Sequence, residues 1–188
     1  MPIEIEKKYR LSKKQREEVL RRLPEIGARR QGEEFEVNTL YKLGGSEIGS
    51  TVLRLRRIDD RGILTFKQRL PSDSGLKHQR EEETAVDDPD AMEAILDALG
   101  LVPAAVYEKR RETWVRGKTE IVIDELPFGL FMEIEGTAND INDVESKLAI
   151  KGLRTEMLTY PRLTLKHGKD RGGVIESRFR AKTKRSTK

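Results

Sequence analysis

The chain has 188 residues and a formal net charge of +4, with no cysteine and only two histidines. These counts exclude disulfide bonds and cysteine-bound zinc, and they disfavour a zinc site or a catalytic triad that depends on histidine. Charged residues make up 37% of the chain, against a usual ~25% in globular proteins, so many charges need a structural or functional explanation.

The positive charge is concentrated near the end of the chain. Residues 165–188 contain nine lysines and arginines and two acidic residues, which leaves residues 1–164 with a net charge of −3. We therefore expect one domain over residues 1–164 and a basic, flexible tail over residues 165–188. Binding of this tail to nucleic acid is the less favoured alternative, and no specific nucleic-acid partner is expected.

The sequence contains no membrane signal. No apolar run approaches the ~20 residues of a membrane span, and the first residues lack the hydrophobic part of a signal peptide. We therefore expect a cytoplasmic protein without a membrane partner.

Alternating segments predict eight strands along the chain. They cover residues 3–10, 35–43, 51–58, 63–70, 76–86, 105–116, 118–125 and 130–135. Apolar periodicity predicts helices over residues 12–23, 90–99 and 140–151, and a short fourth helix near residues 154–160. Ser12, with Gln15 three residues later, is typical of a helix N-cap.

Charged side chains fall on one face of nearly every predicted strand, because consecutive strand residues point to opposite faces. The charged face carries Glu4, Glu6, Lys8, Arg54, Arg56, Lys67, Arg69, Glu81, Glu83, Lys109, Arg111, Asp124, Glu133 and Glu135. The opposite face is apolar, as Leu53 with Leu55 and Ile121 with Ile123 illustrate.

Two antiparallel α+β architectures fit this pattern. In an ordinary half-buried sheet the charges would face water, but like-charged pairs recur two residues apart and destabilise such a face. In a closed eight-stranded β-barrel flanked by helices, the apolar face would turn outward and the charges would line a tunnel. That tunnel would require paired charges, water, a metal ion or an anionic ligand.

The charged face contains groups suited to a phosphate chain and to a metal ion. Basic pairs two residues apart can donate several hydrogen bonds to phosphate oxygens: Arg54/Arg56, Lys67/Arg69 and Lys109/Arg111. Five carboxylates offer the hard oxygen ligands that Mg²⁺ or Mn²⁺ prefers: Glu4, Glu6, Asp124, Glu133 and Glu135. Phosphoryl transfer requires mainly positioning and charge neutralisation, so the set indicates a polyphosphate ligand.

The ordered series of motifs resembles the CYTH domain, or triphosphate tunnel metalloenzyme, superfamily. Its motifs appear here as Glu4-x-Glu6-x-Lys8, Arg54-x-Arg56, Lys67, Lys109-x-Arg111, Asp124-Glu125 with Gly129, Glu133-x-Glu135 and Thr159-Tyr160. The resemblance covers residues 3 to about 160 and implies the closed, eight-stranded triphosphate tunnel.

The resemblance also implies roles for the matching residues. Mg²⁺ or Mn²⁺ would bind Glu4, Glu6, Asp124, Glu133 and Glu135. The triphosphate would bind Lys8, Arg54, Arg56, Lys67, Arg69, Lys109 and Arg111, with Glu81 and Glu83 orienting the cations. The residues expected to act in catalysis are Glu4, Glu6, Lys8, Lys109 and Glu133.

One predicted strand has two registers. Glu81 and Glu83 fit the family pattern and would face the tunnel, which leaves Arg80 and Glu82 outside. A shift by one residue would exchange the two faces and place Arg80 and Glu82 inside. The first register is favoured.

Three functions remain open from the sequence. The leading hypothesis is a metal-dependent triphosphatase that acts on tripolyphosphate or a related small triphosphate, among which thiamine triphosphate remains open. The alternatives are a class IV adenylate cyclase that converts ATP to cyclic AMP and pyrophosphate, and a non-catalytic polyphosphate- or nucleotide-binding module. Homodimerisation also remains open, and removal of residues 165–188 is expected to leave catalysis intact.

Overall fold

The computed structural model describes residues 3–43, 51–70, 77–150 and 152–180. Ten strands are present: β1 (Ile3–Leu11), β2 (Arg29–Leu43), β3 (Thr51–Ile58), β4 (Arg61–Leu70), β5 (Lys77–Val86), β6 (Leu101–Arg116), β7 (Thr119–Leu126), β8 (Gly129–Glu135), β9 (Lys169–Arg171) and β10 (Val174–Ser177). Four helices accompany them: α1 (Lys13–Glu25), α2 (Pro89–Ala98), α3 (Ala138–Lys147) and α4 (Tyr160–His167).

The strands form one sheet in the order β2-β3-β4-β5-β1-β8-β7-β6-β10-β9, and all pairs are antiparallel except β6 with β10. Strand β2 also pairs with β6, so each strand from β1 to β8 has a partner on both sides. This pairing satisfies backbone groups that an edge strand would expose.

The sheet is not the simple closed barrel of eight strands that the sequence predicts. It has ten strands, and β10 lies beside the first half of β6, where Ile175 pairs with Ala105. The pairing between β6 and β7 involves only the second half of β6, from Arg110 onward. The α+β class and the antiparallel arrangement are confirmed.

The predicted tail is wrong over most of its described length. Residues 165–177 complete α4 and form β9 and β10, because Val174 and Ile175 extend the sheet and Ile175 packs against an apolar cluster. The short helix predicted near residues 154–160 is also displaced, since α4 begins at Tyr160 with Thr159 as its N-cap. Residues 181–188 of the tail lie outside the described residues.

The apolar face of the sheet is covered by helices, as the tunnel interpretation requires. Ile121 and Ile134 of the sheet are fully buried with Val144 of α3 and Leu23 of α1. The predicted N-cap of α1 is confirmed, because the Ser12 side chain and the Gln15 backbone and side chain form a capping box. None of the helices in the described ranges has the length and hydrophobicity to cross a bilayer.

A second apolar cluster lies on the charged face of the sheet, at the end nearest α4. Phe131 of β8 and Tyr107 of β6 are buried there beneath Tyr160 and Leu163 of α4. The start of α4 therefore packs over the interior, which brings Tyr160 next to the charged residues.

Candidate active site

A cavity of about 150 Å³ lies on the charged face of the sheet. We call it the central cavity, and it is lined by Glu6, Lys8, Val52, Arg54, Arg56, Lys67, Tyr107, Lys109, Arg111, Glu133, Glu135, Thr159, Tyr160, Pro161 and Arg162. These residues come from five strands and from the start of α4. The structure thus brings together nine of the residues that the sequence singled out.

Two arginines of β3 line the cavity with hydrogen-bonding capacity to spare. Arg54 is buried, and its Nη2 donates to Thr65 Oγ1 at 3.1 Å. The Nε atoms of Arg54 and Arg56 are buried without a hydrogen-bond partner, although Arg56 Nε lies 3.5 Å from the Glu36 carboxylate. Such donors are costly to bury unless a ligand or water satisfies them, so they favour an anionic occupant.

Asp124 supports the basic residues rather than lining the cavity. Arg111 donates to its two oxygens at 2.8 and 2.7 Å, and the Tyr160 hydroxyl donates at 2.8 Å. Asp124 is fully buried, and Lys109 Nζ lies 3.6 Å from it. Asp124 thus accepts hydrogen bonds from residues that line the cavity, and its role as a metal ligand stays a prediction.

Lys8 is held at the floor of the cavity by three contacts. Its Nζ lies 3.0 Å from Glu133 Oε1, 3.4 Å from the Leu158 carbonyl oxygen and 3.6 Å from the centre of the Tyr160 ring. The ammonium group is almost fully buried. Its position is therefore fixed by a carboxylate, a carbonyl and an aromatic face before any ligand binds.

Strand β5 has the register that the sequence analysis favours, with Glu81 and Glu83 on the charged face. Lys67 lies opposite Glu81 and forms a salt bridge with it, while Glu83 accepts a hydrogen bond from Thr65 Oγ1 at 3.0 Å. Arg80 and Glu82 pair with each other on the other face, where Arg80 is half-buried and Glu82 is exposed. Glu81 is buried, whereas Glu83 is partly exposed at 41%.

Carboxylates crowd one side of the cavity. Glu6 and Glu135 lie directly opposite each other on β1 and β8, and Glu133 faces the cavity two residues along β8. Burial raises the pKa of Glu135 to about 7, and the charges of Glu120 and Glu6 add to this effect. A divalent cation would relieve such crowding.

The fit to a metal ion is partial. Among the side chains that the structure describes, no group of three acidic or histidine residues is arranged to hold a metal ion. Glu4 belongs to β1 and Arg69 to β4, but their side chains lie outside the described residues. Of the predicted metal ligands whose side chains are described, Glu6, Glu133 and Glu135 line the cavity and Asp124 does not.

Several residues of the site are absent from the set that the sequence predicts. Glu36 of β2 is fully buried between three cavity cations, and Tyr107 and Arg162 line the cavity. Simple alternation identifies Tyr107, which lies two residues before Lys109 on the same face. On β2 the alternation of Glu36 with Asn38 is a usable signal, whereas Arg162 has none, because it lies outside the strands.

Comparison with known proteins identifies the family. A family model described as the CYTH domain matches residues 2–169. The chain belongs to the CYTH domain family. This result confirms the resemblance on which the predicted tunnel and triphosphate site were based, and it covers the strands that line the central cavity.

Individual relatives of this CYTH protein extend the comparison. A Methanocaldococcus jannaschii protein named as a candidate adenylate cyclase is 27% identical over 150 residues, which cover 78% of this chain and 83% of that protein. The structure of the PH1012 protein of Pyrococcus horikoshii OT3 matches with a TM-score of 0.73 and 25% identity, covering 85% of this chain and 98% of the other.

A third relative shares the fold at lower identity. The Hippeastrum protein HpAC1, described as having a dominant triphosphatase activity, matches with a TM-score of 0.67 and 17% identity. The match covers 88% of this chain and 96% of that protein. At this identity the comparison shows the shared fold alone.

Proposed function

We propose that this CYTH protein is a metal-dependent triphosphatase that hydrolyses inorganic triphosphate or a related small triphosphate. The observation that carries the proposal is the convergence of seven basic side chains on one small cavity: Lys8, Arg54, Arg56, Lys67, Lys109, Arg111 and Arg162. A linear triphosphate offers several charged oxygens to such a set, whereas a single phosphate would leave most of the donors unused.

The proposed roles follow the two sides of the cavity. The arginine and lysine side chains would bind and orient the phosphate chain, because they line the space that it would occupy. Glu6, Glu133 and Glu135 would hold Mg²⁺ or Mn²⁺, together with Glu4 of the same strand as Glu6. The bound ion would neutralise charge on the phosphoryl oxygens. A carboxylate of this group would orient the attacking water.

An adenylate cyclase is the second candidate. Its support is the name of the M. jannaschii relative and the presence of Thr159 and Arg162 in the cavity lining, where they could contact a nucleoside. A thiamine triphosphatase has less support. Trp114 is buried in the cluster beneath α1 and α3, so it offers no aromatic platform inside the cavity.

A panel of substrates separates these reactions. The purified protein is incubated with tripolyphosphate, ATP or thiamine triphosphate and with Mg²⁺ or Mn²⁺, while phosphate, pyrophosphate and cyclic AMP are measured. Release of phosphate from tripolyphosphate supports the proposal. Formation of cyclic AMP and pyrophosphate from ATP, without hydrolysis of tripolyphosphate, overturns it in favour of the cyclase.

Two adjacent arginines provide a matched control. Arg56 lines the cavity, whereas Arg57 faces the opposite side and binds Asp90 and Glu93 at 2.7 and 2.9 Å. Substitution Arg56→Gln should raise the KM for tripolyphosphate at least about tenfold, since a charged hydrogen bond contributes ~1.5–3 kcal/mol. Arg57→Gln should leave it near the wild-type value. Equal effects of the two substitutions would count against the cavity as the active site.

A further inference from the structure

Glu36 is a fully buried carboxylate that contacts three cations of the central cavity but does not line it. Its Oε2 lies 3.2 Å from Lys109 Nζ and 3.5 Å from Arg56 Nε, and its Oε1 lies 3.7 Å from Arg111 Nε. All three cations line the cavity. Glu36 therefore lies behind them, on the side away from a ligand.

The strand pairing explains this position. Glu36 of β2 is directly opposite Lys109 of β6, and Asn38, two residues along β2, is directly opposite Arg56 of β3. Asn38 Nδ2 donates a hydrogen bond to Glu36 Oε2 at 3.1 Å. Strands β3 and β6 flank β2 on either side, so one carboxylate on β2 reaches cations from both neighbours.

The charge of Glu36 is maintained by its surroundings. Burial by itself would raise the pKa of this carboxyl, but Lys109, Arg111 and Arg56 hold it well below its usual range. Glu36 is therefore ionised at neutral pH. Without it, three buried cations would face one another with one carboxylate fewer to offset their repulsion.

Resting on the proposed function, we infer that Glu36 is a positioning residue whose negative charge sets the arrangement of Arg56, Lys109 and Arg111 for the triphosphate. It does not touch the substrate and takes no part in bond making or breaking. Its carboxylate and the triphosphate offset the same three positive charges, Glu36 from behind and the ligand from the cavity side.

This role has a consequence that a purely structural role lacks. When Glu36 loses its charge, the ligand-free protein becomes less stable, because the three cations repel each other. The triphosphate then binds more tightly, because the negative charge of Glu36 no longer repels it and its own charge has to offset the three cations. Turnover falls, because the cations settle around the bound substrate rather than in the arrangement that favours the transition state.

The test uses the full-length chain and the substitution Glu36→Gln, which keeps the size of the side chain and removes its charge. Binding of inorganic tripolyphosphate is measured calorimetrically with a chelator present, so that affinity is obtained without turnover. Melting temperature is measured with and without tripolyphosphate, and kcat is measured with Mg²⁺ or Mn²⁺. Glu36→Asp retains the charge on a shorter side chain and covers the case in which Glu36→Gln fails to fold.

Ile121→Ala is the control for lost stability, since Ile121 is fully buried on the helix-covered face, away from the cavity cations. For Glu36→Gln we expect a lower melting temperature without ligand, a dissociation constant for tripolyphosphate about tenfold smaller, and a kcat lower by about tenfold to a hundredfold. Glu36→Asp should lie between Glu36→Gln and the wild type. Ile121→Ala should lower the melting temperature and leave affinity and kcat near wild type.

The outcomes separate the two proposals. If the wild type binds and hydrolyses tripolyphosphate and Glu36→Gln does so with the same affinity and kcat, the role of Glu36 is overturned. Weaker binding by Glu36→Gln overturns it as well. If the wild type binds tripolyphosphate without hydrolysing it, the proposed reaction fails, while the affinity comparison still decides the role of Glu36. If the wild type does not bind tripolyphosphate, both proposals are overturned.

Discussion

Arg111 and Asp124 occupy directly opposite positions on neighbouring strands and form a two-pronged ion pair, with N–O distances of 2.8 and 2.7 Å. Asp124 is fully buried and Arg111 lines the central cavity. The carboxylate thus fixes the plane of a guanidinium group that faces the ligand. We therefore propose Asp124 as a support for Arg111 rather than as a metal ligand.

The substitution Asp124→Asn tests that distinction. We expect it to lower the free energy of unfolding by about 3–5 kcal/mol, because Arg111 loses its two-pronged buried ion pair and keeps only Glu133 at 2.8 Å and Glu36 at 3.7 Å. We also expect an unchanged affinity for Mn²⁺. Chemical denaturation and calorimetric titration measure these quantities.

Glu125→Gln is the matched control for Asp124→Asn. Glu125 is the next residue on the same strand, is half-buried on the other face and lies 3.6 Å from the half-buried Arg110. Its substitution should change stability by less than about 0.5 kcal/mol. A large loss of Mn²⁺ affinity in Asp124→Asn would indicate that Asp124 is a metal ligand.

The charge of Lys109 should make triphosphate binding sensitive to pH. Burial, followed by the nearby charge of Arg111, lowers the pKa of Lys109 to about 8. As pH rises through 8, Lys109 loses its charge, so affinity should fall by up to about tenfold per pH unit. Calorimetric binding of tripolyphosphate between about pH 7 and pH 9, with a chelator present, measures this change.

Lys109→Arg separates this effect from titration of the substrate. An arginine remains charged over the whole range, and the ionisation of tripolyphosphate is common to both proteins. The ratio of the two affinities should therefore change with pH in the direction that favours the variant at high pH. A constant ratio would show that Lys109 does not titrate in this range.

The register of β5 predicts opposite outcomes for two neighbouring glutamates. Glu81 is buried and forms a salt bridge with Lys67 in the cavity, whereas Glu82 pairs only with Arg80 among the described ion pairs. Glu81→Gln should lower kcat with tripolyphosphate by roughly tenfold, because Lys67 loses the charge that positions it. Glu82→Gln should leave KM and kcat unchanged. The opposite result would indicate the shifted register.

Glu135 should destabilise the protein at neutral pH when no divalent metal is present. Its folded-state pKa of about 7 is higher than the ordinary value of 4.5, so folding favours the protonated form. Its contribution to stability is therefore present below pH 4.5 and is lost as pH rises through 7. Glu135→Gln should remove this dependence and, with a chelator present at about pH 8, raise stability by about 1 kcal/mol, since solvent partly screens the carboxyl.

Added Mg²⁺ or Mn²⁺ provides the second half of that experiment. The wild type should gain thermal stability from the metal, and Glu135→Gln should gain less, because a metal ligand is lost. Thermal unfolding with a chelator and with metal measures both effects. Equal stabilisation of the two proteins by metal would count against Glu135 as a ligand.

Two truncations test the correction to the predicted tail. A chain that ends at Gly168 lacks β9 and β10, and so loses the packing of Ile175 and the hydrogen bond from the Phe179 amide to Glu108 at 2.7 Å. We expect it to lose roughly 2 kcal/mol of stability, from the apolar area exposed. A chain that ends at Arg180 should match the full-length protein in melting temperature and activity. Identical stability of the full-length protein and both truncated chains would support the predicted flexible tail.

Strand alternation explains why so much of the site is predictable. The face on which a strand residue lies follows from its position in the strand, so Lys8, Arg54 and Glu133 are assigned to one surface by their spacing alone. Their convergence also requires the pairing order of the strands, which the family resemblance supplies. Arg162 is missed because it lies in a helix, where the two-residue period gives no information.

The role of each carboxylate depends on its neighbours across strands. Asp124 and Glu135 both carry a carboxyl group, yet Asp124 is ion-paired with Arg111 and hydrogen-bonded by Tyr160, whereas Glu135 is crowded by Glu120 and Glu6. No property of either residue type distinguishes these environments.

The error in the predicted tail has a related cause. The many charges of residues 165–188 dominate its composition and hide the short apolar pair Val174 and Ile175. The pair forms a strand because the first half of β6 has an edge with which it can pair, and because apolar residues of α4 pack against Ile175. Neither partner is adjacent to the pair in the sequence.

The sequence by itself determined the α+β class, the charged face of the strands and the family, because alternation and motif order are local properties of the chain. The tertiary structure alone decided how the charges are shared. It placed Glu36 behind three cations, paired Asp124 with Arg111, and extended the sheet to ten strands through β10. The physical reason is that electrostatic partners and strand neighbours are set by distances between segments that are far apart in sequence.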